Sequence, residues 1–106
     1  MRAVKPQPPD EAPAADFDEA LLSRPRLSIL AALLGAGTVD FTFLRKNLGI
    51  SDGNLSTHLR KLEAENYIRT EKEFVNRKPK TWFQITDEGR AALERLLRQL
   101  ERMLTP

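Results

Sequence analysis

A chain of 106 residues with 41% hydrophobic side chains holds one domain with a small core, or one domain with appendages. A net charge of +2 is mildly basic, and with no cysteine there is no disulfide framework, no thiolate metal site and no cysteine nucleophile, a usage that fits a reducing cytoplasm. No apolar run approaches the roughly 20 residues that span a bilayer, and no basic-then-apolar leader opens the chain, so a cytoplasmic protein without membrane contact is expected.

Residues 1–15 carry Pro6, Pro8, Pro9 and Pro13 and nothing that forms a core face, so a disordered tail is expected there, with a single folded domain over 16–106. Asp16 and Glu19 have capping-box spacing and predict a short helix through Leu22. That helix is too short to stand alone, and its Phe17, Leu21 and Leu22 need cover. Ser23 or Arg24 starts a second helix with Pro25 in its first turn. Leu27, Ile29, Leu30, Leu33 and Leu34 make it apolar nearly all round, which predicts a central core helix ended by Gly35 and Gly37. Val39 is an isolated β-former. Asp40 is a suitable N-cap for a helix over 41–48, with Phe41, Leu44 and Leu48 on one stripe and Gly49 as its stop.

Ser51 caps the next helix, expected over 51–66. Leu55, Leu59 and Leu62 recur at i, i+4 and i+7, on one stripe. At about 100° per residue, Asn54, Thr57, Arg60 and Lys61 fall on roughly the opposite side. That side is small, polar and basic. Such a surface can approach a polyanion and offer hydrogen bonds to base edges; on an isolated helix it would be an ordinary solvated face. Two helices joined by a glycine and a turn of about three residues match the helix-turn-helix arrangement.

After Tyr67 the period switches to two. Residues 68–74 alternate and predict a strand; 75–79 read as a loop; 80–85, with Thr81, Trp82, Phe83 and Ile85, read as a second strand. The result is a β-hairpin with a basic tip, because Arg77, Lys78 and Lys80 lie within four residues. Trp82 and Phe83 alternate, so one faces the core and the other does not. Thr86 caps a last helix whose Leu93, Leu96, Leu97, Leu100, Met103 and Leu104 form a stripe, with Asp87 and Glu88 complementing its dipole. The fold class is therefore mainly α with a small β-hairpin.

The order helix, helix, recognition helix, two-stranded wing, helix is that of a winged helix-turn-helix. Three stretches carry a resemblance to regulators of the MarR and ArsR type: Arg24-Pro25-Arg26-Leu27-Ser28-Ile29-Leu30, Gly53 to Glu63 around Leu-Ser-Thr-His-Leu, and Lys78 to Arg90. The resemblance covers about three quarters of the chain, from residue 24 to about residue 100. It implies a transcriptional regulator that binds double-stranded DNA, usually as a homodimer. In that reading residues 51–66 enter the major groove and residues 75–80 ride the minor groove or backbone. Metal-sensing relatives use cysteine or His/Asp clusters; this chain has no cysteine and one histidine, so no metal is expected.

The expected DNA-contacting residues are Asn54, Ser56, Thr57, His58, Arg60, Lys61, Arg69, Arg77, Lys78 and Lys80, with Arg45 and Lys46 as further phosphate candidates. Two of these have a competing structural role: Ser56 could pack beside the preceding helix, and His58, flanking the leucine stripe, could be a packed or hydrogen-bonded histidine. Phe17, Leu21, Leu22, Leu93, Leu96, Leu97, Leu100 and Leu104 exceed what a compact winged helix covers, and a two-fold dimer would bury them. Nothing in the residues specifies a small-molecule effector, although a dimer interface between the terminal helices would have room for one. No nucleophile elbow, phosphate-binding glycine loop or metal cluster is visible, so neither an enzyme nor a cofactor is expected. The alternative from another class is a winged-helix protein–protein interaction module that does not bind DNA.

Overall fold

The computed structural model describes residues 17–105. The proline-rich tail and the cap expected at Asp16 lie outside the described residues. The first turn among the described residues is a 3-10 turn, Glu19–Leu21, capped by Asp18, whose carboxylate accepts from the Ala20 N–H at 3.0 Å. It replaces the helix expected through Leu22. Four helices and three strands follow: α1 (Arg24–Ala36), β1 (Val39–Asp40), α2 (Phe41–Leu48), α3 (Asp52–Ala64), β2 (Ile68–Val75), β3 (Lys78–Ile85) and α4 (Asp87–Leu104).

Each helix begins where a short polar side chain can accept from a free first-turn amide. Ser23 accepts from Arg26, Asp40 from Phe43, Ser51 from Asn54 and Thr86 from Gly89. α1 runs through Gly35 and stops one residue later, because only Gly37 takes the positive φ, 82°, at which the helix ends. Its Ile29, Leu30 and Leu33 are buried, whereas Leu34 faces solvent, so it is apolar all round in sequence but buried on one side. α2 ends at Gly49, in the left-handed region at φ 63°. Gly49, Ile50 and Ser51 are then the whole connection to α3. α3 is shorter than expected. It ends at Ala64, and Asn66 at φ 63° turns the chain so that the Tyr67 N–H reaches the Leu62 carbonyl at 2.9 Å.

The sheet holds one strand more than the alternating pattern predicts. Val39 pairs with Phe83 and Asp40 with Trp82, giving the antiparallel order β1-β3-β2. Two residues show no alternation, so β1 is visible only through its partner. The loop expected over 75–79 is instead a two-residue turn, Asn76–Arg77, with both residues at positive φ (52° and 65°). That is the geometry that matches strand twist in a tight hairpin. Strand pairing continues out to Val75 opposite Lys78, and Pro79 sits inside β3 opposite Phe74. Proline is tolerated there because β1 pairs only with Trp82 and Phe83, which leaves β3 with a single neighbour at residue 79.

All helices and the sheet root share one core, in which Leu21, Ile29, Leu30, Leu33, Leu44, Leu55 and Leu62 are fully buried. α4 is docked through its first turn. Thr86 donates its hydroxyl to the Asn66 carbonyl at 2.6 Å, and its own N–H donates to the Tyr67 carbonyl at 3.0 Å. Gly89 lies against that same Tyr67 carbonyl, and a Cβ there would overlap the oxygen.

A Gly89→Ala substitution should therefore destabilise the fold, although alanine is the better helix former by about 1 kcal/mol. The carbonyl belongs to the backbone and already accepts a bond, so the clash costs roughly 1–3 kcal/mol beyond that gain. Urea unfolding checks this; equal or greater stability in the variant would contradict the docking described.

Candidate nucleic-acid interface

Burial of Leu55, Leu59 and Leu62 fixes the rotation of α3 about its own axis. Asn54, Thr57 and Arg60 are consequently exposed and Lys61 is half-exposed. The Thr57 hydroxyl donates to the Gly53 carbonyl at 3.0 Å. Its proton is committed to the helix, and its two lone pairs leave the residue to accept rather than donate. Lys61 reaches Glu19 at 3.9 Å, an exposed pair that water screens. Asp52, the acid at the start of α3, is paired with Arg45 of α2 at 3.2 Å, so neither charge is uncompensated. Lys46 beside it is exposed in the last turn of α2.

The two faces of the sheet differ in charge. Side chains alternate across a strand. Ile68, Thr70, Lys72 and Phe74 of β2 therefore share one face with their cross-strand partners Ile85, Phe83, Thr81 and Pro79. This inner face meets α3: Ser56, Arg60 and Glu63 line a groove together with Thr70, Lys72 and Thr81. Ser56 is half-buried at that junction, between the helix and the wing root. Lys72, which alternation alone gave no reason to select, is exposed beside Arg60 of α3. The signal available in sequence was its parity with Thr70.

Arg69, Glu71 and Glu73 lie on the outer face with Lys80, Trp82 and Gln84. Arg69 is thus on the opposite side of the sheet from α3, with Lys80 and, opposite Val75, Lys78, which separates all three from the expected contacts on α3. Lys80 is tied down. Its ammonium is 3.3 Å from Asp40 and 4.9 Å from the centre of the Trp82 ring, and Trp82 donates its indole N–H to Glu73 at 2.8 Å. The Phe43 N–H bond holds the Asp40 carboxyl below the usual range, against the opposing effect of burial and with help from Lys80. As alternation requires, Phe83 enters the core and Trp82 turns outward. Arg77 and Lys78 stand exposed at the turn, and among the described residues no ion pair engages either of them.

The apolar residues expected at a dimer face divide in two. Leu21 and Leu96 are buried in the chain's own core, and Phe17 and Leu93 pack against it, half-buried. Leu22, Leu97, Leu100, Met103 and Leu104 are exposed, with Leu104 at 84%. No group of His, Asp or Glu side chains suited to a metal occurs among the described residues.

The winged helix DNA-binding domain family matches residues 26–104. An uncharacterized protein of Methanocaldococcus jannaschii is 36% identical over 75 residues, which are 71% of this chain and 82% of that protein. A solved transcriptional regulator homologue from Pyrococcus horikoshii OT3 superposes with a TM-score of 0.75 at 32% identity, over 82% of this chain and 86% of its own. A MarR family regulator from Enterococcus faecalis V583 follows at 0.67 and 25% identity, over 77% and 74%. An ArsR family regulator shares the fold at 0.60 and 24% identity, over 81% and 84%.

Of the two roles open to His58, its contacts match the packed, hydrogen-bonded one. Its Nδ1 lies 3.2 Å from the Arg26 guanidinium, on the side of α3 that meets α1, and not on the exposed face. Arg26 also donates from Nε to the Ala20 carbonyl, so one side chain joins the 3-10 turn, α1 and α3. Burial, and then the Arg26 charge, lower the His58 pKa below its ordinary 6.5. A base whose pKa falls on folding binds fewer protons in the native than in the unfolded state. Its stabilising effect is then complete above the ordinary value and is lost as pH falls through it toward the lowered one. Urea unfolding between pH 8 and about pH 5.5 should show stability falling below neutrality in the parent chain but much less in His58→Gln. Identical profiles in the two proteins would contradict the contact.

Proposed function

The chain belongs to the winged helix DNA-binding domain family, and on that premise we propose that it is a dimeric, sequence-specific regulator that reads double-stranded DNA with α3 in the major groove and the wing tip on the minor groove or backbone. Family and fold are those of transcriptional regulators and not of enzymes. One observation carries the reading. Arg60 of α3 lines one groove with Lys72 of the wing, on a helix whose Asn54 and Thr57 are exposed and whose Lys61 is half-exposed, and Arg77 stands exposed at the wing turn. Asn and Thr offer hydrogen bonds to base edges, and the cations meet phosphate or guanine. The outer face mixes signs, with Glu71 and Glu73 beside Arg69 and Lys80, and Lys80 is already paired with Asp40. No described helix is long and apolar enough to cross a membrane, and a regulator working on DNA belongs in the cytoplasm.

The exposed leucines of α4, with Leu22, supply the dimer surface in this reading. A two-fold pairing through them would present two recognition helices about 34 Å apart, one turn of B-DNA. Sedimentation should give a dimer mass that Leu97→Asp converts to a monomer; a monomer mass for the parent chain at every concentration would contradict the pairing.

On a duplex recovered by selection from random sequence, Arg60→Glu and Lys72→Glu should each weaken binding at least about tenfold in a mobility-shift assay. Arg69→Glu, on the other side of the sheet, should change it little. Binding should fall steeply with salt, with a log–log slope of about −0.9 for each phosphate neutralised. No affinity for any duplex at low salt would favour a protein–protein interaction module instead.

A further inference from the structure

Phe74 has no use in the fold. It is 79% exposed, the highest value for an aromatic among the described residues. It follows Thr70 and Lys72 at two-residue steps, so it projects from the wing face that meets α3. Thr70 is the last residue of β2 with partial cover; at about 3.3 Å per residue, Phe74 stands roughly 13 Å farther out. Its cross-strand partner is Pro79, also exposed, so an aromatic ring and a proline ring form a small apolar edge near the end of the hairpin. Lys72 shares this face and Arg77 stands at the turn beyond it, while Lys78, opposite Val75, lies with Glu71, Glu73 and Lys80 on the other face. An apolar edge with Lys72 on its own face and Arg77 at the turn is matched to a duplex, where phosphates flank an apolar stack.

We propose that Phe74 is a wedge that enters the minor groove, partly unstacks one base step and kinks the DNA. The inference rests on the DNA-binding reading above. The minor groove is about 6 Å wide, too narrow for the ribbon but open to the edge of one ring. Lys72 and Arg77 would hold the flanking phosphates while the ring goes in. The steps that yield most readily are pyrimidine–purine, so Phe74 would select for TA or CA under the wing without any hydrogen bond to a base.

The test uses the full chain and an end-labelled duplex recovered by selection from random sequence. Bending is read by energy transfer between the duplex ends, and unstacking by 2-aminopurine placed at the steps beneath the wing. The parent protein should bend the duplex and brighten the 2-aminopurine. Phe74→Ala should lose both signals and bind about tenfold more weakly, with an unchanged salt slope because no charge is removed. Phe74→Leu, still apolar, should keep part of the bend, and Arg77→Ala should reduce the salt slope. Unchanged bending and affinity in Phe74→Ala would overturn the wedge alone. So would a change in sedimentation of Phe74→Ala without a change in DNA binding, which would mark the ring as a protein contact. If the parent chain bound no duplex, the wedge and the regulator reading would fall together.

Discussion

Everything on the presumed DNA side depends on three leucines. Leu55, Leu59 and Leu62 are inserted into the core, and fully burying a leucine is worth about 1.5–3 kcal/mol. With three such anchors on one stripe, α3 has a single stable rotation, and the identity of its exposed face follows from helical period alone. The neighbouring constraints act on position rather than rotation. Gly49 in the left-handed region and Ser51 as cap allow a three-residue link between α2 and α3. The Arg26–His58 contact and the bond from Tyr67 to Asp18 tie α3 and its exit to the first turn of the chain. Burial, and then that bond to Asp18, push the Tyr67 hydroxyl up to about 12, so it remains a donor at any physiological pH.

A second constraint is the two-residue period of the wing. Alternation sorts the hairpin's charges into two populations. On the outer face Lys80 bridges Asp40 and Trp82, and Trp82 bonds Glu73, which braces the wing root against the start of α2. On the inner face Lys72 is left uncommitted beside α3, and Phe74 stands exposed farther out along the strand. The same strand therefore supplies its own bracing on one side and the surface proposed to meet DNA on the other. A one-residue slip in register would exchange the two.

The helices were legible because their caps and periods are local. Ser23, Asp40, Ser51 and Thr86 cap as their chemistry predicts, and the α3 leucines are buried as their spacing predicts. The wing's turn was not legible, because Asn76–Arg77 lacks the glycine that usually announces positive φ, and Pro79 imitates a strand breaker. β1 was missed since two residues carry no period. Among the site residues, charge and proximity in sequence grouped Arg69 and Lys80 with the rest. Their face is a matter of strand parity, and Lys80's partner, Asp40, is forty residues away. His58 was ambiguous for the same reason: its partner Arg26 is on another helix. Leu21 and Leu96 looked surplus because the volume of a small core cannot be summed from stripes.

The orientation of α3 and the wing toward a duplex is the claim on which the rest stands. It can be measured by placing a photo-crosslinking side chain at residue 57 on α3 and, separately, at residue 71 on the outer wing face, and irradiating each with labelled duplex. Efficient DNA adducts from residue 57 and few from residue 71 are predicted. Adducts from residue 71 and none from residue 57 would show that the opposite face meets the DNA.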